Sequence, residues 1–220
     1  DWLTAEKLLR EAVTLNPNDA TAQQWLGELY CYSSRFDACR KQLRIALELD
    51  PLAPVLVMQQ GTPDLYSGEY EAAISEYLES TQSFPGFAMG QYALGLAYAG
   101  LGDWNSAIAA YQTSLPELGL AIVGGPIIFA LARSGQINQA AEMLDQLEAL
   151  TETRYVPPSK LAVAYLGLDD RAQALEWLRL AVEMHDDRLI YFATDVHFRE
   201  LQGQPGFRDI AARVGPQGTR

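Results

Sequence analysis

Residues 17–51 read PNDATAQQWLGELYCYSSRFDACRKQLRIALELDP, and residues 51–85 read PLAPVLVMQQGTPDLYSGEYEAAISEYLESTQSFP. Laid over one another with a shift of 34 residues, the two stretches keep the same punctuation. Pro17, Pro51 and Pro85 fall at that spacing, and so do Gly27, Gly61 and Gly95, so two independent residue types share one period. Gly68 and Gly102 keep it, as do the aromatics Phe36, Tyr70 and Trp104. Small residues form a column of Ala5, Cys39, Ala73 and Ala107, which resumes after a one-residue deletion at Ala140 and Ala174. Four residues further on stand Leu9, Leu43, Tyr77, Tyr111, Leu144 and Leu178, and three beyond those Ala12, Ala46, Ser80, Ser114, Leu147 and Ala181. A period between about 20 and 50 residues is the mark of a repeat architecture.

The offsets of four and three place these columns on one face of an α-helix. Glycine leaves room for a paired helix to come close. The recurring proline ends the second helix, because it cannot donate the intrahelical bond and turns its predecessor away from the α region. One helix pair cannot bury its own apolar face, so successive pairs must stack.

Leu26-Gly27 with Tyr30, Leu94-Gly95 with Tyr98, and the small, large, small, proline series behind them resemble the tetratricopeptide repeat. The Trp of that pattern is replaced by Gln23, Val57 and Gln91. The resemblance covers roughly residues 1–186 and implies an all-α, right-handed superhelix closed by a C-terminal helical cap. The expected divisions are a half repeat at 1–19, repeats at 20–53, 54–87, 88–120, 121–154 and 155–186, and capping helices with a tail at 187–220. Trp2 to Pro17 is the second helix of a repeat whose first helix is absent, so the chain reads as an excerpt of a longer one. Pro63 should break a first helix, Pro116 should stop its helix early, Pro126 should start a short one, and Pro157 and Pro158 suit a helix start. The last third carries Arg154-Tyr155-Val156-Pro157-Pro158, Ala174 to Leu178, Asp195 to Leu201 and Pro205-Gly206-Phe207. It is similar to the C-terminal repeat region of bacterial signalling proteins, which implies a sensing or scaffold role beside an effector domain.

Composition excludes other classes. With 49% apolar and 10% aromatic residues the chain packs a core, and a net charge of −12 repels both phosphate backbones and anionic bilayers. Nucleic acid is therefore excluded as principal partner. The uncharged run at 118–132 is shorter than the roughly 20 residues that span a bilayer, so no membrane insertion is expected. No targeting segment opens the chain, and a cytoplasmic location is expected. Cys31 and Cys39 give neither a disulfide framework nor a zinc pattern; Cys39 takes a packing position and Cys31 is expected to be partly exposed. His185 fits a helix C-terminus and His197 pairing or packing near Asp195. No Gly-rich phosphate loop follows a strand. No metal, no cofactor and no catalysis are expected.

Binding has the sharper footprint. In proteins of the resembled family the first helix of each repeat lines a concave groove. That implies Gln24, Glu28, Cys31 and Tyr32; Met58, Thr62, Leu65 and Tyr66; Tyr92, Leu96, Ala99 and Gly100; Gly125, Phe129, Ala132 and Arg133; and Ser159, Val163, Leu166 and Gly167. These are apolar and aromatic, and the cations of a carboxylate clamp are nearly missing. A protein or peptide partner presenting an apolar segment fits such a lining, unless neighbouring helices or the cap cover it. Between Ile45 and Ala132 nine acids stand without a single base. They read as a solvated face, or as attraction for a basic partner. The competing reading is a homodimer through the unpartnered N-terminal helix, with Leu8 and Val13 at its contact.

Overall fold

The computed structural model describes residues 2–215. Asp1 and the last five residues of the expected tail lie outside the described residues. The chain runs through α1 (Trp2–Leu15), α2 (Ala20–Tyr32), α3 (Phe36–Leu49), α4 (Pro54–Met58), α5 (Thr62–Ser67), α6 (Tyr70–Ser83), α7 (Ala88–Leu101), α8 (Trp104–Leu118), α9 (Leu120–Arg133), α10 (Ile137–Thr151), α11 (Pro158–Gly167), α12 (Arg171–Glu183) and α13 (Pro205–Val214). Short 3₁₀ turns stand at Gln59–Gly61, Asp187–Tyr191 and Val196–Leu201. No strand occurs among the described residues, and the fold is an all-α solenoid.

The period has a backbone counterpart. Ser34, Gly68, Gly102, Gly135 and Asp169 all have positive φ, between 58° and 90°, at the elbow between the two helices of a pair. Their spacing carries the same one-residue deletion as the side-chain columns. The left-handed turn folds the second helix back on the first, and glycine adopts it without strain at three of the five places. Asp19, Asp103 and Asp170 cap the helices that follow them by accepting from the backbone N–H of Ala22, Ser106 and Gln173. Cys39, Ala73, Ala107, Ala140 and Ala174 are fully buried, as are Ala46, Leu147 and Ala181.

Proline behaves in three ways. Pro63 sits in the first turn of α5, and the first helix of its pair is broken into α4, the Gln59–Gly61 turn and α5. Pro116 does not stop α8, which continues to Leu118; Pro116 and Gln112, whose carbonyl it leaves unbonded, are exposed to water. Pro126 does not start a short helix but lies inside α9. Residues 123–132 of that helix are all buried, and packing on every side outweighs the roughly 3 kcal/mol an internal proline costs. Gly125 makes this packing feasible, since a Cβ there would run into the backbone carbonyl of Lys160 on α11.

The cysteines depart from expectation. Cys31 is fully buried and forms a disulfide with Cys39, their Cα atoms 5.2 Å apart. The tight elbow brings the last turn of α2 against the first turn of α3, which spacing alone did not reveal.

The rod curves until its ends meet. Trp2 Nε1 donates to the Val214 carbonyl at 3.0 Å, joining α1 to α13. Beyond α12, Phe192, Phe198 and Phe207 pack together, with Phe192 stacked on Phe207 at 4.3 Å, and cover Leu178 and Ala181. On α1, Leu3, Leu8 and Leu15 are exposed, whereas Val13 packs inward with Leu9 against Leu26 and Leu43, so Val13 is not on the open face.

Candidate binding cavity

The cap does more than close the last repeat. Its stretch 187–201 lies across the side formed by the first helices, and this divides the residues expected in the groove. Phe129 meets the His197 ring at 4.9 Å, Arg133 pairs with Glu200, Val163 joins the cluster around Phe198 and Leu201, and the Ser159 N–H donates to Asp186 at 2.9 Å. Leu166 is buried in the same cluster, and Gly167 is pressed against the Phe129 backbone. Apart from Gly167, which meets α9, these positions face the chain's own C-terminal segment.

The other half remains open inside. Glu28, Tyr32, Met58, Thr62, Leu65, Tyr66, Tyr92 and Leu96 line one cavity of about 300 Å³. α2, α4, α5 and α7 contribute these walls, and Gln24 stands behind them, donating to Glu28 at 3.1 Å. Cys31 is drawn into the disulfide instead. Burial raises the hydroxyl pKa of Tyr32, Tyr66 and Tyr77, so these groups stay neutral and serve as hydrogen-bonding walls.

The far wall was not foreseen. It consists of Lys160 from α11 and of Arg188, Tyr191, Asp195 and Val196 from the cap. Lys160 is 4% exposed, and its Nζ donates to the Tyr92 hydroxyl at 2.8 Å. Burial alone would lower its pKa; Tyr92, Tyr191 and Asp195 more than offset that, and the ammonium stays charged at neutral pH. Arg188 Nη1 donates to the Tyr191 hydroxyl at 3.3 Å. Asp195 accepts from the His197 backbone N–H at 2.9 Å and meets its Nδ1 at 2.8 Å. Burial pushes this carboxyl up, but His197 and Lys160 prevail and hold it below the ordinary value. A lone lysine inside the apolar run of α11 was the available sequence signal for Lys160. The cap residues fall outside the period, so no repeat register could place them.

A second cleft adjoins the cavity. A shallow cleft of about 280 Å³ between α1, α2 and the Asp187–Tyr191 turn is lined by Trp2, Leu9, Trp25, Leu29 and Ile190, and shares Glu28 and Tyr32 with the cavity. Trp25 there is 56% exposed. Of the acids between residues 48 and 117, Asp64 is buried and pairs with Arg40 at 2.5 Å, while the other eight are exposed. His185 is exposed after α12, and no cluster of three or more metal-ligating residues occurs among the described residues. No helix among them is long and apolar enough to cross a membrane.

Residues 58–119 match the family model described as tetratricopeptide repeat. Nothing among the curated proteins matches this chain. Among solved structures it is similar to PilW, a widely conserved type IV pilus biogenesis factor, at 18% identity over 82% of this chain and 84% of that one, with a TM-score of 0.59. It is similar to Pseudomonas aeruginosa pilF at 18% identity over 87% and 88%, with a TM-score of 0.56. Against the APC/C hetero-tetramer Cut9-Hcn1 it is 14% identical over 97% of this chain and 46% of that one, with a TM-score of 0.63. At such identities the likeness concerns the fold. Residues 58–119 are thus tetratricopeptide repeats, and the left-handed elbows at one period and the shared architecture show the same solenoid fold along the chain.

Proposed function

We propose that this chain is a protein-interaction module without catalysis of its own, which receives an apolar segment of a partner polypeptide over the cleft of Trp25 and Ile190. A side chain of the partner reaches past Glu28 and Tyr32 toward the cavity. The observation that supports this is the sharing of Glu28 and Tyr32 between an exposed aromatic cleft and a cavity walled by the expected groove residues. Tyr, Trp and Met walls suit apolar anchors of varied shape. The motifs of the last third support a place in a bacterial regulatory protein. The disulfide between Cys31 and Cys39 favours an oxidising compartment over the cytoplasm.

The test is selection of peptides from a displayed library on the whole chain, followed by titration of Trp25→Ala and Tyr32→Ala. Each should weaken the selected peptides about tenfold, or roughly 1.4 kcal/mol, with helicity unchanged. Failure to enrich any peptide, or unchanged affinity in both variants, overturns the reading. The exposed Leu3, Leu8 and Leu15 on α1 favour a second reading, a homodimer through that helix. It requires a concentration-dependent mass in sedimentation that Leu8→Glu with Leu15→Glu abolishes.

A further inference from the structure

Buried charges are costly unless paired, and the charges around the cavity are paired unevenly. Its two carboxylates are supplied with donors: Glu28 accepts from Gln24 and Gln59, and Asp195 from His197. Its two cations are not matched in the same way. Lys160 Nζ has the Tyr92 hydroxyl as hydrogen-bond partner, with the Tyr92 ring at 5.4 Å, and Asp195 attracts it only from beyond ion-pair distance. Arg188 meets the Tyr191 hydroxyl with Nη1, while its buried Nε makes no hydrogen bond among the described residues and has only a long 3.7 Å ion-pair contact with Asp187, whose side chain is 84% exposed. Tyr191 accepts from Arg188, and both Arg188 and Lys160 act electrostatically on its hydroxyl. Met58, Leu65, Met89 and Leu96 supply apolar surface in the same cavity.

We propose that the cavity is a binding site for a small organic carboxylate with an apolar body, its head held between Lys160 and Arg188 and its hydrocarbon against Met58, Leu65, Met89 and Leu96. A volume near 300 Å³ is at the small end of ligand cavities, and the stretch 187–201 roofs it, which selects a small molecule over a length of chain. A cation is disfavoured because both carboxylates already have their donors. Charge-assisted hydrogen bonds to the buried Lys160 and half-buried Arg188 give the acid an advantage over an uncharged molecule of equal shape.

The whole chain is titrated calorimetrically with octanoate and phenylpropionate, and with octanol and phenylpropanol as neutral counterparts. The acids should bind about tenfold or more tightly than the alcohols. Lys160→Met and Arg188→Met should each remove most of that advantage, leaving alcohol binding and circular dichroism unchanged. Arg188 is partly exposed, so its variant decides the matter if Lys160→Met does not fold. Equal binding of acids and alcohols, no binding of either, or acid binding undiminished in a folded variant overturns the site. The titration needs no partner polypeptide, so its failure leaves the protein-docking reading standing, and failure of the peptide selection leaves this site standing.

Discussion

Tyr191 of the cap packs its ring against Tyr32 of α2, centroid to centroid 5.4 Å, across a sequence separation that spans most of the array. Tyr32 in turn lies 5.8 Å from Tyr66. This aromatic chain ties the cap to the first complete repeat and converts an open groove into a cavity. Tyr191→Ala should therefore cost about 1–2 kcal/mol and lower Tm by several degrees. Hydrogen exchange should quicken mainly in residues 187–201. Unchanged exchange there would show that the cap is held by its phenylalanine cluster alone.

The glycines rank by what their missing side chain would strike. At Gly125 a Cβ would collide with the Lys160 backbone and at Gly167 with the Phe129 backbone, and helices cannot yield as a side-chain tip can. A Cβ at Gly27 would come within 2.9 Å of the tip of the Leu43 side chain, which can rotate away. Gly125→Ala and Gly167→Ala are expected to lose about 3 kcal/mol or fail to fold, and Gly27→Ala about 1 kcal/mol, in denaturant titrations.

Reduction tests the Cys31–Cys39 bond. The intact protein should be lighter by two hydrogens than the reduced one in mass spectrometry. Closing so short a loop between α2 and α3 restricts the unfolded chain, and dithiothreitol should lower stability by about 2 kcal/mol without loss of helicity. An equal midpoint with and without reductant would assign the stability of this elbow to packing.

Acid should loosen the cap before the array. Asp195 is held below its ordinary value of 3.8 when folded, so the unfolded chain takes the proton first. Its contribution is complete above about pH 4 and disappears as the pH falls through the folded value. Asp195→Asn should remove this step from the pH profile of exchange in residues 187–201, while the midpoint of the remaining helices stays in place.

Some of this protein was determined by its residues in order. Three buried columns, the elbow glycines and Pro63 act within one helix pair or between adjacent pairs, and short-range periodicity encodes such contacts directly. Glu28, Tyr32, Met58, Thr62, Tyr66, Tyr92 and Leu96, which the family resemblance assigns to the groove, line the cavity. Tertiary structure decided the rest. Pro126 remains helical because neighbours surround it, Cys31 meets Cys39 because the elbow is tight, and Phe129, Arg133, Ser159 and Val163 are covered because the cap crosses the array. Lys160, Arg188, Tyr191 and Asp195 converge on one cavity only after the curvature of all the repeats has accumulated. That accumulated curvature, which brings Trp2 against Val214, is a sum of small rotations that no single repeat records in its sequence.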